Sequence, residues 1–160
     1  MEEKVAKVFM IILRNRINAL LKNLFCLIVL AACTPNDYDD PVPYAPFPDI
    51  VLNLNLPDNI ALRTSGATIT VGGGVRGIIV YCKQPNEYMA YERNCTYHPN
   101  DACATVNIDA SKLFLVDPCC GSTFDSTTGS PMGGIARRPL VQYRTTFDGT
   151  ILTITDEVIN

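Results

Sequence analysis

Residues 115–125 read "LVDPCCGSTFD", Leu115 to Asp125. Two adjacent cysteines sit in a Pro118-Cys119-Cys120-Gly121 turn, and the residues after it begin to alternate as a strand does. Proline fixes φ and glycine accepts a positive one, so the pair is held at a tight reversal. Cysteines this close together bind metal or form disulfides. The compartment and the other cysteines decide between the two.

Working outward, alternation dominates residues 49–160. It runs through "IVLNLNL" (50–56), "ATITV" (67–71), "GIIVYCK" (77–83), "EYMAYER" (87–93), "KLFLV" (112–116), "LVQYRTTF" (140–147) and "TILTITD" (150–156). Each stretch is short and rich in β-branched or aromatic residues, the pattern of half-buried strands. Turn signals separate them: Pro57-Asp58-Asn59, Gly72-Gly73-Gly74, Gln84-Pro85-Asn86, and Asp148-Gly149 as a tight hairpin. Only "NIALRTSG" (59–66) suggests a short helix. Short strands at this spacing predict an all-β antiparallel sandwich or barrel. Gly72-Gly73-Gly74 has no Gly-Lys-Ser/Thr after it and no helix to open, so it is a turn and not a phosphate loop.

The head of the chain differs in kind. Residues 1–32 carry five Lys/Arg against two acids, and residues 33–160 carry eight against fourteen. An acidic domain with scattered bases offers no footprint for nucleic acid. Lys4, Lys7, Arg14, Arg16 and Lys22 precede the uncharged run "LFCLIVLAA" (24–32), which is well short of the about 20 residues that span a bilayer. A basic region, a short apolar core and small residues before a processing point are a secretory signal; Met10 is an alternative start. Leu30-Ala31-Ala32-Cys33 resembles the lipobox of bacterial lipoproteins, which implies lipidation of Cys33 and a membrane anchor without a transmembrane helix. Residues 33–48, with "TPNDYDDPVPYAPFP" after the cysteine, are then a Pro- and Asp-rich tether. Asp37, Asp39 and Asp40 resemble the acidic signals of surface-displayed Bacteroidetes lipoproteins. A plain solvated linker accounts for them as well.

Setting aside Cys26 in the signal and Cys33 as the anchor leaves Cys82, Cys95, Cys103, Cys119 and Cys120. Export to an oxidising compartment makes disulfides the default for paired cysteines. Cys82, inside a strand, is expected to be a lone buried thiol.

The order of residues in "YMAYERNCTYHP" (88–99) and, about twenty residues on, in 115–154 resembles the Rieske iron–sulfur domain. In that family two loops grip a 2Fe-2S cluster through two Cys and two His, and a further Cys from each loop forms a disulfide. Pro118, Cys119, Gly121, Ser122, Phe124, Asp125, Gly129, Gly134, Ala136, Pro139, Leu140 and Tyr143 fall in register with it. The resemblance covers about residues 47 to 157 and implies a Rieske-like antiparallel β-sandwich, 49–160, with a small cluster-binding-type subdomain at 95–130.

Of the family's four ligands, one is retained. Cys95 matches a ligand cysteine, but Tyr97 stands at the first histidine, Asp117 at the second cysteine and Cys120 at the second histidine. Ile135 replaces a proline that screens the cluster. Tyrosine and carboxylate oxygens are harder donors than imidazole. The resemblance places Cys119 at the structural disulfide with Cys103 as its partner, across an apparent insertion "PNDA". It also sets Cys95 and Cys120 face to face, so a second crosslink, Cys95–Cys120, is expected to replace the metal. The swapped pairing, Cys95–Cys119 with Cys103–Cys120, competes with it.

Other chemistries use the same residues. A nonstandard 2Fe-2S site would take Cys95, His98, Cys119 and Cys120 and make the chain an electron carrier. Zinc could use Cys95, His98, Cys103 and Cys119 or Cys120, although the spacing matches no common zinc pattern. A cysteine nucleophile paired with His98 lacks an orienting partner. Ser122, whose family equivalent donates to a cluster sulfur, also suits loop backbone groups. Arg137 and Arg138 in "GGIARRPL" are the candidate contact surface. The expectation is therefore a lipid-anchored envelope protein with an unidentified envelope partner, no expected cofactor, no enzymatic activity and a degenerate cluster site.

Overall fold

A computed structural model of the protein describes Arg14, Arg16, Asn18 and residues 40–160. The signal and Cys33 readings fall almost wholly outside the described residues. Among the described residues no helix is long and apolar enough to cross a membrane.

Ten strands follow in chain order: β1 Ile50–Asn53, β2 Thr68–Val71, β3 Ile78–Gln84, β4 Glu87–Glu92, β5 Asn107–Ile108, β6 Phe114–Val116, β7 Thr123–Asp125, β8 Pro131–Gly133, β9 Gln142–Phe147 and β10 Ile151–Val158. Six pair into one antiparallel sheet in the order β1-β10-β9-β4-β3-β2, and β5-β6-β7-β8 form a second. The expected helix over 59–66 is a single 3-10 turn, Ile60–Arg63, which buries Leu62.

The two hairpins of the large sheet follow from their turn residues. Asn86 takes φ 71° between β3 and β4, and Gly149 takes φ 100° between β9 and β10. In the second hairpin the Asp148 carboxylate accepts from the backbone N–H of Thr150 (2.8 Å) and Ile151 (2.7 Å), fixing the reversal. Those four strands fix the sheet register, with Val80 opposite Ala90 and Ala90 opposite Tyr143.

Side chains on a strand alternate between faces, and β3 and β4 have apolar residues on both. Ile78, Val80 and Cys82 with Tyr88 and Ala90 enter one core, beside Leu52, Leu54, Leu62, Tyr143, Leu152 and Ile154. Ile79 and Tyr91 point the other way into a second core under the small sheet, with Cys95, Ala104, Val106, Leu115, Phe124, Ala136 and Leu140. Each large side chain taken fully out of water contributes about 1.5–3 kcal/mol. The unbroken "IIV" of β3 thus marks a strand buried on both faces.

Residues 40–48, read from the sequence as tether, lie along this domain. Phe47 packs edge-on against Tyr143 with ring centroids 4.9 Å apart, and the Tyr44 hydroxyl donates to Asp156 Oδ2 at 2.7 Å. Pro-rich composition prevents regular pairing but not the docking of single aromatic anchors.

Candidate functional site

Two loops meet at the end of the small sheet. The first leaves β4 and returns to β5. It is closed at its base by the Asn94–Thr105 bridge and by Cys95 N–H donating to the Ala104 carbonyl at 3.1 Å. Arg76, just before β3, spans it from outside. Its guanidinium donates to the carbonyls of Ala102 (2.8 Å) and Asp101 (2.5 Å) and to Asn94 Oδ1. The second loop, 117–122, joins β6 to β7. Asp117 N–H donates to the Ser122 carbonyl at 2.9 Å and Gly121 N–H to the Asp117 carbonyl at 2.8 Å.

Cys103 and Cys119, the pair given by the resemblance, are bonded to each other with Cα atoms 5.5 Å apart. Both residues are exposed, so this bridge staples the outer rims of the loops. Cys95 and Cys120 lie inside. Their sulfurs are 3.9 Å apart and both are thiols, so the expected second crosslink is not formed here, and neither is the swapped pairing. The local geometry gives a reason: the Cys120 thiol is turned to Asp117 Oδ2 (3.2 Å) and Ser122 Oγ (3.1 Å).

Asp117 completes the group. It is fully buried, its Oδ1 accepts from Cys119 N–H at 2.8 Å, and donor atoms of Cys95, Asp117 and Cys120 all lie within 4.8 Å of one another. Burial, then hydrogen bonding to Asp117, pushes the Cys95 thiol well above its ordinary range. A catalytic thiolate needs the opposite shift. Among the described residues, His98 joins no such group. Its ring lies against Tyr97, centroids 4.3 Å apart, with Nδ1 4.0 Å from Asp101 Oδ2 in the same turn. A left-handed φ of 45° at His98 accompanies that turn.

A two-iron cluster makes definite demands on such a group. It requires four ligands, and the Rieske type requires two imidazoles. Here the converging group holds two sulfurs and a carboxylate with no imidazole, and Cys119 of the alternative set is bonded to Cys103. The residues do not fit the cluster. The set Cys95, His98, Cys119 and Cys120 is not assembled, and the zinc sets that include Cys103 fail for the same reason.

Ser122 is fully buried, and its Oγ accepts from the backbone N–H of Ile135 (3.1 Å) and Ala136 (2.9 Å). It therefore locks a third loop onto the second. Gly134 makes that approach possible: at φ 85°, a Cβ there would lie 2.5 Å from Ser122 Cα. Arg138 is a clamp and not a free contact residue, donating to the carbonyls of Thr96 (2.9 Å) and Asp40 (2.6 Å), while Arg137 is exposed.

Glu92, which carries no sequence signal, lies fully buried behind the first loop. Its carboxylate accepts from the backbone N–H of Val75 (2.8 Å), Arg76 (3.0 Å) and Asn94 (2.9 Å) and from the Tyr143 hydroxyl (2.8 Å). As the last residue of "EYMAYE" it looks like a solvated strand end. Only tertiary folding brings the Gly74–Arg76 turn over it.

No protein-family model matches the sequence, and no curated protein matches it. In shape the chain is similar to one in the complex of reduced oxygenase and oxidized ferredoxin in carbazole 1,9a-dioxygenase, at TM-score 0.44 and 18% identity over 60% of this chain and 86% of that one. It is also similar to the ferredoxin of carbazole 1,9a-dioxygenase from Nocardioides aromaticivorans IC177, at TM-score 0.44 and 17% identity over 71% of this chain and 98% of that one. A six-stranded antiparallel sheet and a small four-stranded one, with two cysteine loops joined by a disulfide, make this an all-β antiparallel fold.

Proposed function

We propose that the chain is a lipid-anchored cell-envelope protein whose Rieske-like domain carries no 2Fe-2S cluster and serves as a disulfide-stabilised structural or binding module. The observation that carries this is the fate of the ligand positions. The donors that converge there are Cys95, Asp117 and Cys120, with no imidazole among them, too few and of the wrong type for two irons. No reaction is assigned to it.

Iron and inorganic sulfide analysis of anaerobically purified full-length protein, with its visible spectrum, tests the reading. A colourless protein without sulfide is expected. Stoichiometric iron and sulfide with visible absorption would overturn it and make the chain an electron carrier. The anchor is read from Cys33 and the apolar run before it, which also suggest the outer membrane as the site and an envelope protein as partner. Cys33→Ser is expected to move the protein from the membrane fraction to the soluble one. Retention of that variant in the membrane removes the anchor from the proposal.

A further inference from the structure

We propose that Cys95, Asp117 and Cys120 form a mononuclear metal site that takes one thiophilic divalent cation of the Zn²⁺ class. The inference rests on the cluster-free reading above, since the same cleft cannot hold both.

Distances carry the argument. In a tetrahedral site with metal–sulfur bonds of about 2.3 Å, two sulfur ligands stand about 3.8 Å apart. The Cys95 and Cys120 sulfurs are 3.9 Å apart. That exceeds a sulfur–sulfur bond and matches the edge of a single-ion tetrahedron. The carboxylate of Asp117 sits on the same side, 3.2 Å from Cys120 Sγ and within 4.8 Å of Cys95 Sγ. Carboxylate oxygen and cysteine sulfur are both zinc ligands.

Asp117 gives the second, independent observation. It is 0% exposed, and a carboxylate oxygen lies within 4.8 Å of both cysteine sulfurs, so a buried ligand atom faces the same point as the two thiols. Its carboxylate accepts from one backbone N–H and otherwise meets only the thiols of Cys95 and Cys120, and no Lys or Arg among the described residues forms an ion pair with it. On binding, each thiol releases its proton to solvent and two sulfur–metal bonds form. The two thiolates and one carboxylate around a dication leave the site with one net negative charge. Cys120 is only half-buried and Gly121 beside it is exposed, so an ion and a fourth, solvent-derived ligand can enter from the loop tip. The outer-rim disulfide holds the loops at that spacing without occupying the site. Ser122, hydrogen-bonded to Cys120 Sγ, orients one ligand.

Cobalt titration of anaerobically purified full-length protein in detergent, in a Cys82→Ala background, tests the assignment. One equivalent of Co²⁺ is expected to give thiolate charge-transfer absorption and the visible bands of tetrahedral cobalt, bleached by Zn²⁺. Cys120→Ser should abolish the signal. Asp117→Asn should weaken binding by more than the about 10–100-fold that loss of an outer ligand partner causes. Should either variant fail to fold, zinc-edge X-ray absorption of the wild-type site decides alone, with two sulfur scatterers at about 2.3 Å and two lighter ones expected. No cobalt bands from protein whose thiols alkylate freely, or four sulfur ligands or none, would overturn the site and leave the cluster-free reading standing. So would a Cys95–Cys120 disulfide in freshly isolated anaerobic protein. Inorganic sulfide in stoichiometric amount would overturn both.

Discussion

Removing the Tyr143 hydroxyl measures how strongly the buried carboxylate of Glu92 organises this domain. Glu92 accepts four hydrogen bonds in the interior, three from backbone N–H groups on two different segments and one from Tyr143 at 2.8 Å. Tyr143→Phe deletes one bond to a charged group and keeps the ring packed on Phe47, so a loss of about 1.5–3 kcal/mol is expected. Glu92→Ala strands three backbone N–H groups, one buried and two part-buried, at up to about 1–3 kcal/mol each, with a cavity and an unpaired Tyr143 hydroxyl added. The combined loss reaches the about 5–15 kcal/mol that holds a typical domain together, so that variant should not fold. Glu92→Gln keeps shape and falls between the two, because its amide nitrogen must meet a donor. Urea unfolding followed by circular dichroism, compared at constant m-value, gives the differences. Tyr143→Phe within about 0.5 kcal/mol of wild type, or a folded Glu92→Ala, would refute the reasoning.

Other outcomes follow from the same geometry. Replacing Cys103 and Cys119 by Ser opens a crosslink of sequence separation 16 and should lower stability by about 3 kcal/mol on the chain-entropy estimate; a change below about 1 kcal/mol in non-reducing urea unfolding contradicts it. Gly134→Ala forces a Cβ against the Ser122 backbone at positive φ and should cost more than about 1 kcal/mol, read from the same unfolding curves. The Asp125 carboxylate accepts from Thr127 and Thr128, hydroxyl and backbone alike, with the Thr127 hydroxyl the largest influence, and its pKa is lowered. A depressed folded-state pKa means the contribution is complete above about pH 4 and fades as pH falls through the folded value. Asp125→Ala should therefore lose stability at neutral pH and show a shallower acid limb; an unchanged limb refutes the assignment.

The central strands of the large sheet were legible because β3, β4, β9 and β10 run six to eight residues, are rich in β-branched and aromatic residues, and turn at Pro85-Asn86 or Asp148-Gly149. The small sheet was harder: Asn107–Ile108 and Pro131–Gly133 are too short to show a period, and they pair because neighbouring loops hold them there. At the site, register located Cys103, Cys119, Cys95 and Cys120, but spacing along the chain does not say which sulfurs close to bonding distance. Asp117 was visible as a replaced ligand, not as a donor in its own right, since its burial beside two thiols depends on the turn of 117–122. Arg76 and Glu92 left no trace, because each acts on backbone groups brought to it by other segments.

Strands β3 and β4 serve as a party wall. Their odd and even residues furnish opposite rooms, so a slip of one position in either strand would empty both at once. The small sheet with its sulfur cleft consequently has no floor of its own. Excised from Asn94 onward it would lose Ile79 and Tyr91 from beneath it, and transplanting the cleft to another scaffold requires carrying this hairpin along.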